Sequence, residues 1–217
     1  MHILQVAPYF PPAYAYGGIP RIVDGLSKSL CAMGHRVSVL TTDACDSISR
    51  VDRPIYSHEH GLHVWSAPNI SNRLAYEHQL FLPLIDGVYF QQIEKDVPVD
   101  IIHLHGHRHL LNNIVARWAK KRGIPYVFTA NGTLRIHERK LLLKRIWDKM
   151  VSGSIPFNAQ ACIAVSQFDC SIHRDHGILD TKVHHIPNGL NPSEFQPVQS
   201  SLFKSIHDIP DEHNMIL

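Results

Sequence analysis

Two neighbouring glycines, Gly17-Gly18, close a loop rich in proline and tyrosine and stand just before a helical pattern with Pro20 in its first turn. Residues without a Cβ let the backbone approach a ligand closely. A helix start adds unpaired N–H groups and the positive end of the helix dipole, so the occupant this stretch suits is an anion. The same pair could merely turn the chain, and both readings stand at this point. The spacing is neither G-x-G-x-x-G nor G-x-x-x-x-G-K-[ST], so the dinucleotide and P-loop fingerprints are both missing.

The compositional oddity is seventeen histidines, and four of them, His103, His105, His107 and His109, alternate. In an extended segment alternation would align them on one face, as a zinc site needs. Gly106 interrupts the segment, however, and no cysteine or carboxylate lies close enough to complete a tetrahedral set. No metal is expected. The expected picture has His103 packed in a sheet, His105 at a site, and His107 and His109 on a solvated loop. Asp24, Asp43, Asp100 and Asp175 lack spaced carboxylate partners, and no G-x-S-x-G surrounds Ser166, which reads as a helix cap. No catalytic residue is assigned.

The elements that must position these residues alternate. His2–Ala7 is a short, nearly continuous apolar run, as in a parallel strand covered on both faces. Ile22, Val23, Leu26, Leu30 and Met33 then follow at helical spacing up to Gly34, and Arg36–Thr41 is a second strand. Residues 43 to 60 read as a surface loop leading to a strand at 62–66, and 68–73 as another loop. A helix over 76–95 is expected to kink or break at Pro83 and Gly87. Further strands are expected at 98–105, 125–129, 161–165 and 183–186, with helices at 110–122, 138–151 and 166–176 and a short one near 202–207. Pro187-Asn188-Gly189 reads as a tight turn, and 214–217 as a new strand. This rhythm predicts an α/β fold with a doubly wound, Rossmann-like parallel sheet. Such sheets bind ligands beyond the carboxyl ends of their strands, where Gly17-Gly18, His105-Gly106, Asn131-Gly132, Ser166 and Asn188-Gly189 all fall.

The 217 residues, 44% hydrophobic and 18% charged, suffice for one good core, and a net charge of +2 gives no global pull toward nucleic acid or membrane. The four cysteines form no C-x-x-C, and the first strand begins at residue 2, which predicts reduced thiols in a cytoplasmic protein. No apolar run approaches the roughly 20 residues that span a bilayer. The 138–151 helix sets Arg139, Lys140, Lys144, Arg145 and Lys149 beside an apolar stripe. A helix packed on the sheet with a solvated basic face is the favoured reading; peripheral contact with the inner face of a membrane is the other.

Four stretches carry a resemblance: the N-terminal strand, its glycine loop and Gly34-His-Arg-Val-Ser-Val39; Asp100-Ile-Ile-His-Leu-His105; Val127-Phe-Thr-Ala-Asn-Gly-Thr-Leu134; and Val183-His-His-Ile-Pro-Asn-Gly-Leu-Asn191, closing on Phe195-Gln-Pro197. Over essentially its whole length the chain resembles the N-terminal half of a GT-B glycosyltransferase of family 4. The resemblance implies an acceptor-side domain over 1–190, a linker over 191–213 and, from 214 to 217, the start of a C-terminal nucleotide-sugar domain. It implies retaining transfer of a sugar from a nucleotide-sugar co-substrate, with no other cofactor, to a sugar or lipid-linked acceptor in cell-surface polysaccharide or glycolipid synthesis. Donor phosphate or sugar would meet Gly17, Gly18 and His105, and the acceptor-side cleft would involve Asn131, Gly132, Arg135, Ser166, Asn188 and Gly189. Asn131 stands where such proteins commonly carry histidine. An asparagine donates and accepts hydrogen bonds but carries no proton charge. The donor-binding Arg/Lys pair and Glu-x7-Glu pattern of the family's C-terminal domain are not found here, so the missing partner would be that domain, without which the chain is expected to be inactive. The rival readings are a stand-alone glycan- or phosphate-binding domain, and a GT-B type epimerase or phosphorylase.

Overall fold

The computed structural model describes residues 1–52, 54–59, 61–134, 153–190, 204–210 and 212. Among them one sheet holds eight strands: β1 (His2–Val6), β2 (Arg36–Thr42), β3 (Tyr56–Glu59), β4 (Leu62–Ala67), β5 (Ile101–His105), β6 (Tyr126–Thr129), β7 (Ala161–Ala164) and β8 (Val183–His185). The strand order is β3-β4-β2-β1-β5-β6-β7-β8, parallel throughout except for β3, which pairs antiparallel with β4. From β1 the chain works outward through β2 to β4, then returns to lay β5 on the other side of β1. That reversal is the topological switch point, where open α/β sheets hold ligands.

Alternation along the strands loads both faces. Leu4 and Val6 of β1 join Leu40, Ile102, Leu104 and Phe128 in one buried cluster, covered by α3 (Gly87–Ile93) and α4 (Leu110–Arg122) through Phe90, Ile93, Leu111 and Val115. Val37, Val39, Leu62 and Val64 face the other way, onto Ile19 and Val23 of α1 (Ile19–Ala32). The sequence expectation of a doubly wound sheet is met. Left-handed glycines stop α1 at Gly34 and α4 at Gly123, where φ is +85° and +68°.

The segment expected as one helix over 76–95 is two. Ser71 caps α2 (Asn72–His78), its hydroxyl accepting from the Leu74 N–H at 3.3 Å, and Asp86 caps α3, accepting from the Val88 N–H at 2.9 Å. Between them Pro83 bridges to Asn69, so the break expected at Pro83 and Gly87 is a complete separation. The loop expected over 43–60 contains β3, whose Tyr-Ser-His sequence lacks an apolar face and is ordered by pairing with β4. Pro187-Asn188-Gly189 forms no tight turn. Ile186 donates to the Ala164 carbonyl at 3.0 Å, and the chain then continues as exposed, irregular backbone. Two further short helices are α5 (Ile155–Asn158) and α6 (Gln167–Asp175), and a 3-10 turn at Asp180–Lys182 leads into β8. The expected 138–151 helix, Arg135, most of the 191–213 linker and the 214–217 strand lie outside the described residues; residues 204–206 are helical. No helix among the described residues is long and apolar enough to cross a membrane.

Candidate functional site at the switch point

The switch point is bordered by the loops after β1 and β5. After β1 the chain runs through Tyr9 and Phe10 into a 3-10 turn at Tyr14–Tyr16, and only then reaches Gly17 and Gly18. Gly17 has φ +104°, a conformation that L side chains avoid, and both glycines are exposed with open space where a Cβ would stand. Gly18 is the N-cap of α1 and supplies no capping side chain. The first N–H groups of this fourteen-residue helix are therefore presented beside two bare glycines.

What holds that loop is an aromatic cluster. Tyr16 stacks on Tyr9 with centroids 4.8 Å apart and planes 14° apart, and Phe81 meets both rings at 5.2 and 5.3 Å. The His109 ring stands edge-on to Phe81 at 5.4 Å and to Tyr9 at 6.0 Å. Burial pushes the Tyr9 and Tyr16 phenols up to about 12, so both are neutral at working pH. Sequence reasoning missed this cluster; the density of tyrosine and proline between residues 8 and 16 was the available signal.

On the other side, β5 ends in a polar run pressed into the sheet. His105 is 1% exposed, and its Nε2–H donates to Gln5 Oε1 on β1 at 2.7 Å. That bond leaves Nδ1 as an unprotonated acceptor, and no group among the described residues meets it. His103 Nε2 lies 2.7 Å from Thr129 Oγ1 on β6, and the His103 and His105 ring centroids are 3.9 Å apart. Burial holds His103 down to about 4; burial first and the neighbouring His103 second hold His105 well below the ordinary histidine range. His105 is thus a neutral hydrogen-bonding group of fixed tautomer.

His107 and His109 are not on a solvated loop: they are 4% and 3% exposed. The correction has a structural cause, because the loops after β5 and β6 are tied together. The His107 N–H donates to Thr133 Oγ1 at 2.6 Å, and the Arg108 guanidinium donates to the carbonyls of Thr133 at 2.6 Å and Leu134 at 3.2 Å. From beneath, Asn112 Nδ2 donates to the carbonyls of His105 at 2.9 Å and Gly106 at 2.8 Å. Gly106, at φ +77°, leaves no room for a side chain, since a Cβ there would stand 2.8 Å from Cδ2 and Nε2 of His109. Burial, helped by His107 and Arg108, pushes His109 down to about 3.

The other sequence-derived candidates line up along the sheet rather than gathering at one point. Asn131 and Gly132 follow β6, both left-handed at φ +49° and +76°, and neither Asn131 Oδ1 nor Nδ2 finds a partner among the described residues although both are buried. Ser166 follows β7, where its hydroxyl accepts from the Asp169 N–H at 3.0 Å while the Asp169 carboxylate accepts from Val165 N–H at 3.1 Å. Ser166 is therefore engaged as the cap of α6. Asn188 and Gly189 follow β8 at the far edge and are exposed. Gly17-Gly18 and His105 lie at or beyond the carboxyl ends of the neighbouring strands β1 and β5, and Asn131-Gly132 follows β6, the next strand in the sheet. A separate hollow of about 520 Å³ lies between α4, α5 and the starts of β6 and β7, at the other end of those strands. Among the described residues no group of three or more His, Cys, Asp or Glu could hold a metal ion.

Comparison with known proteins agrees with this architecture. Sucrose-phosphate synthase from Thermosynechococcus elongatus superposes with a TM-score of 0.63 at 16% identity, over 98% of this chain and 53% of its own. HepE from Anabaena, in complex with UDP and glucose, gives 0.61 at 16%, over 96% and 51%. The catalytic domain of starch synthase IV from Arabidopsis thaliana, bound to ADP and acarbose, gives 0.53 at 15%, over 91% and 53%. The chain thus spans about half the length of these structures, and the likeness shows a shared GT-B type of fold. No curated protein matches the chain by sequence. The model of the family described as Glycosyltransferase Family 4 matches residues 16–194, and the chain belongs to that family.

Proposed function

We propose that this chain forms the acceptor-side half of a retaining glycosyltransferase that moves a sugar from a nucleotide-sugar donor to an acceptor hydroxyl, in polysaccharide or glycolipid synthesis. The observation that carries the reading is the pair of open glycines at the uncapped start of α1, in the loop after β1, together with neutral, buried His105 at the end of the neighbouring strand β5. In this reading the helix start and the bare backbone of Gly17 and Gly18 receive the donor diphosphate, whose charge the α1 dipole favours. His105 accepts a hydrogen bond through Nδ1 from a hydroxyl of the transferred sugar. Because it is neutral, it orients without handing over a proton. Asn131, Gly132, Arg135, Ser166, Asn188 and Gly189 are assigned to the acceptor side in this reading.

A second domain of about the same size, the partner in this reading, supplies the remaining nucleotide contacts, as the half-length match suggests. UDP-sugars are the first donors to try, because the HepE structure holds UDP and glucose. The domain division is 1–190, a linker over 191–213, and a following domain beginning at 214. A cytoplasmic location, with the acceptor reached at the inner membrane face, completes the reading.

The test is titration calorimetry of this chain, and of the chain continued through a donor-binding domain, against a panel of nucleotide sugars, followed by product analysis. Donor binding by the longer protein and a glycosidic product of unchanged anomeric configuration are expected. Failure of the longer protein to bind or hydrolyse any nucleotide sugar would overturn the proposal in favour of a glycan- or phosphate-binding domain. A free epimerised sugar nucleotide or a sugar phosphate as product would identify an epimerase or a phosphorylase instead.

A further inference from the structure

At the opposite end of the sheet from the switch point lies a second hollow, of about 200 Å³, lined by residues that the transfer reading does not use. Arg36, Ser38 and His63 come from the amino-terminal halves of β2 and β4, and Gln92, Lys95 and Asp96 from the end of α3 and the turn after it. Its wall is aromatic. The β3–β4 pairing sets Tyr56 opposite Trp65 and His58 opposite His63, so cross-strand neighbours become ring pairs. The Tyr56 and Trp65 centroids are 4.5 Å apart with planes inclined at 39°, and His58 stacks on His63 at 4.6 Å. The Tyr56 hydroxyl lies 2.8 Å from His63 Nδ1, which locks the wall, yet Tyr56 as a residue remains 41% exposed.

We propose that this hollow is a carbohydrate subsite, separate from the transfer crevice, that seats one pyranose ring of a glycan chain. A pyranose has an apolar C–H face and a rim of hydroxyls, so it needs an aromatic wall beside planar groups that both donate and accept. The wall is Tyr56 and Trp65. The planar groups are Arg36 and Asp96, side by side at 3.2 Å, with the Gln92 amide adjacent. A guanidinium and a carboxylate at that spacing can serve two vicinal hydroxyls, one from each side. Arg36 and Lys95 against Asp96 leave the lining one positive charge in excess, so a neutral ring and a carboxylated one are both admitted. The inclined rings argue against a flat nucleobase, which favours parallel stacking. The volume falls below the roughly 300–1,000 Å³ of pockets for larger small molecules, so one ring fits and the rest of the chain stays in solvent. The inference stands on the hollow's own chemistry and does not require the transfer reaction.

The test is saturation-transfer NMR, with tryptophan fluorescence in parallel, on the whole chain with gluco-, galacto-, manno- and xylo-tetraoses and, separately, UMP. At least one tetraose is expected to bind saturably with a Kd on the order of 1 mM. Tyr56→Ala should weaken it about tenfold, Tyr56→Phe about twofold or less, and Gly18→Asp not at all. Gln92→Ala, on an exposed helix position, should weaken it about threefold and guards against a folding defect in Tyr56→Ala. No saturable binding by any of the four sugars would overturn the proposal, as would binding indifferent to both Tyr56→Ala and Gln92→Ala. So would loss of binding in Gly18→Asp, which would put the glycan in the crevice, or binding of UMP alone at these residues.

Discussion

His105 Nε2 donates to Gln5 Oε1 at 2.7 Å, joining the two strands that border the switch point by a side-chain bond within the sheet. Gln5 thereby chooses the tautomer of His105 and determines which ring nitrogen remains for a ligand. Gln5→Leu is expected to leave the sheet folded while freeing the ring to adopt either tautomer. Carbon-13 and nitrogen-15 shifts of His105 should report a single Nε2–H form in the parent chain and a mixture in the variant; a mixture in both would refute the assignment.

Burial of neutral histidines makes stability depend on pH in a stated direction. His103 and His109 are held down to about 4 and about 3, against an ordinary value of 6.5. Above pH 6.5 neither the folded nor the unfolded chain carries these protons, and full stability is present. As the pH falls below 6.5 the unfolded chain binds protons that the folded chain refuses, so stability declines by up to about 1.4 kcal/mol per pH unit for each group. The decline ends near pH 3 to 4, where the folded side chains protonate too. Urea titrations at stepped pH would check it, and His103→Asn with His109→Phe should flatten the slope.

Gly106→Ala combines a positive φ with a Cβ 2.8 Å from the His109 ring. A loss of about 3 kcal/mol is expected from the backbone conformation and the overlap together. Truncating the facing ring removes only the overlap, so Gly106→Ala combined with His109→Ala should cost about 1 kcal/mol less than the sum of the two single changes. Additivity in denaturant midpoints would show that the ring does not set the glycine requirement.

At the start of α1, stability and ligand binding should part company. Gly18 sits at φ −84° and ψ −18° in open space, so Gly18→Asp fits the backbone and places a carboxylate at the positive end of the α1 dipole, stabilising the chain by a few tenths of a kcal/mol. The same carboxylate would repel a diphosphate, and donor affinity of the complete protein should fall at least about tenfold. Unchanged donor affinity would remove the glycine loop from the proposed site.

Ser166→Ala should cost about 1 kcal/mol by removing the bond to the Asp169 N–H, and Ser166→Asp should restore most of it. Thermal unfolding of the two variants decides this. Equal loss in both would mean that the hydroxyl does more than cap α6.

Local chemistry alone determined much of this protein. The run Ile3-Leu4-Gln5-Val6, the helical spacing of Ile22, Val23, Leu26 and Leu30, and Gly34 and Gly123 as helix stops are properties of neighbouring residues, and the structure keeps them. Ser166 as a cap, and Gly17-Gly18 before a helix start, were legible for the same reason. Tertiary structure decided the rest. β3 has no apolar face of its own and exists because β4 offers it an edge. The 72–93 region became two helices because two polar caps and the Asn69–Pro83 bridge intervene between apolar positions that had suggested one. His107 and His109 looked solvated because alternating histidines are polar in isolation. They are buried because Thr133, Phe81 and Tyr9, distant in the chain, close over the loop, and desolvation then keeps His109 neutral. Residue type and spacing set which groups could do chemistry; their burial, tautomer and charge depend on neighbours that only the folded sheet supplies.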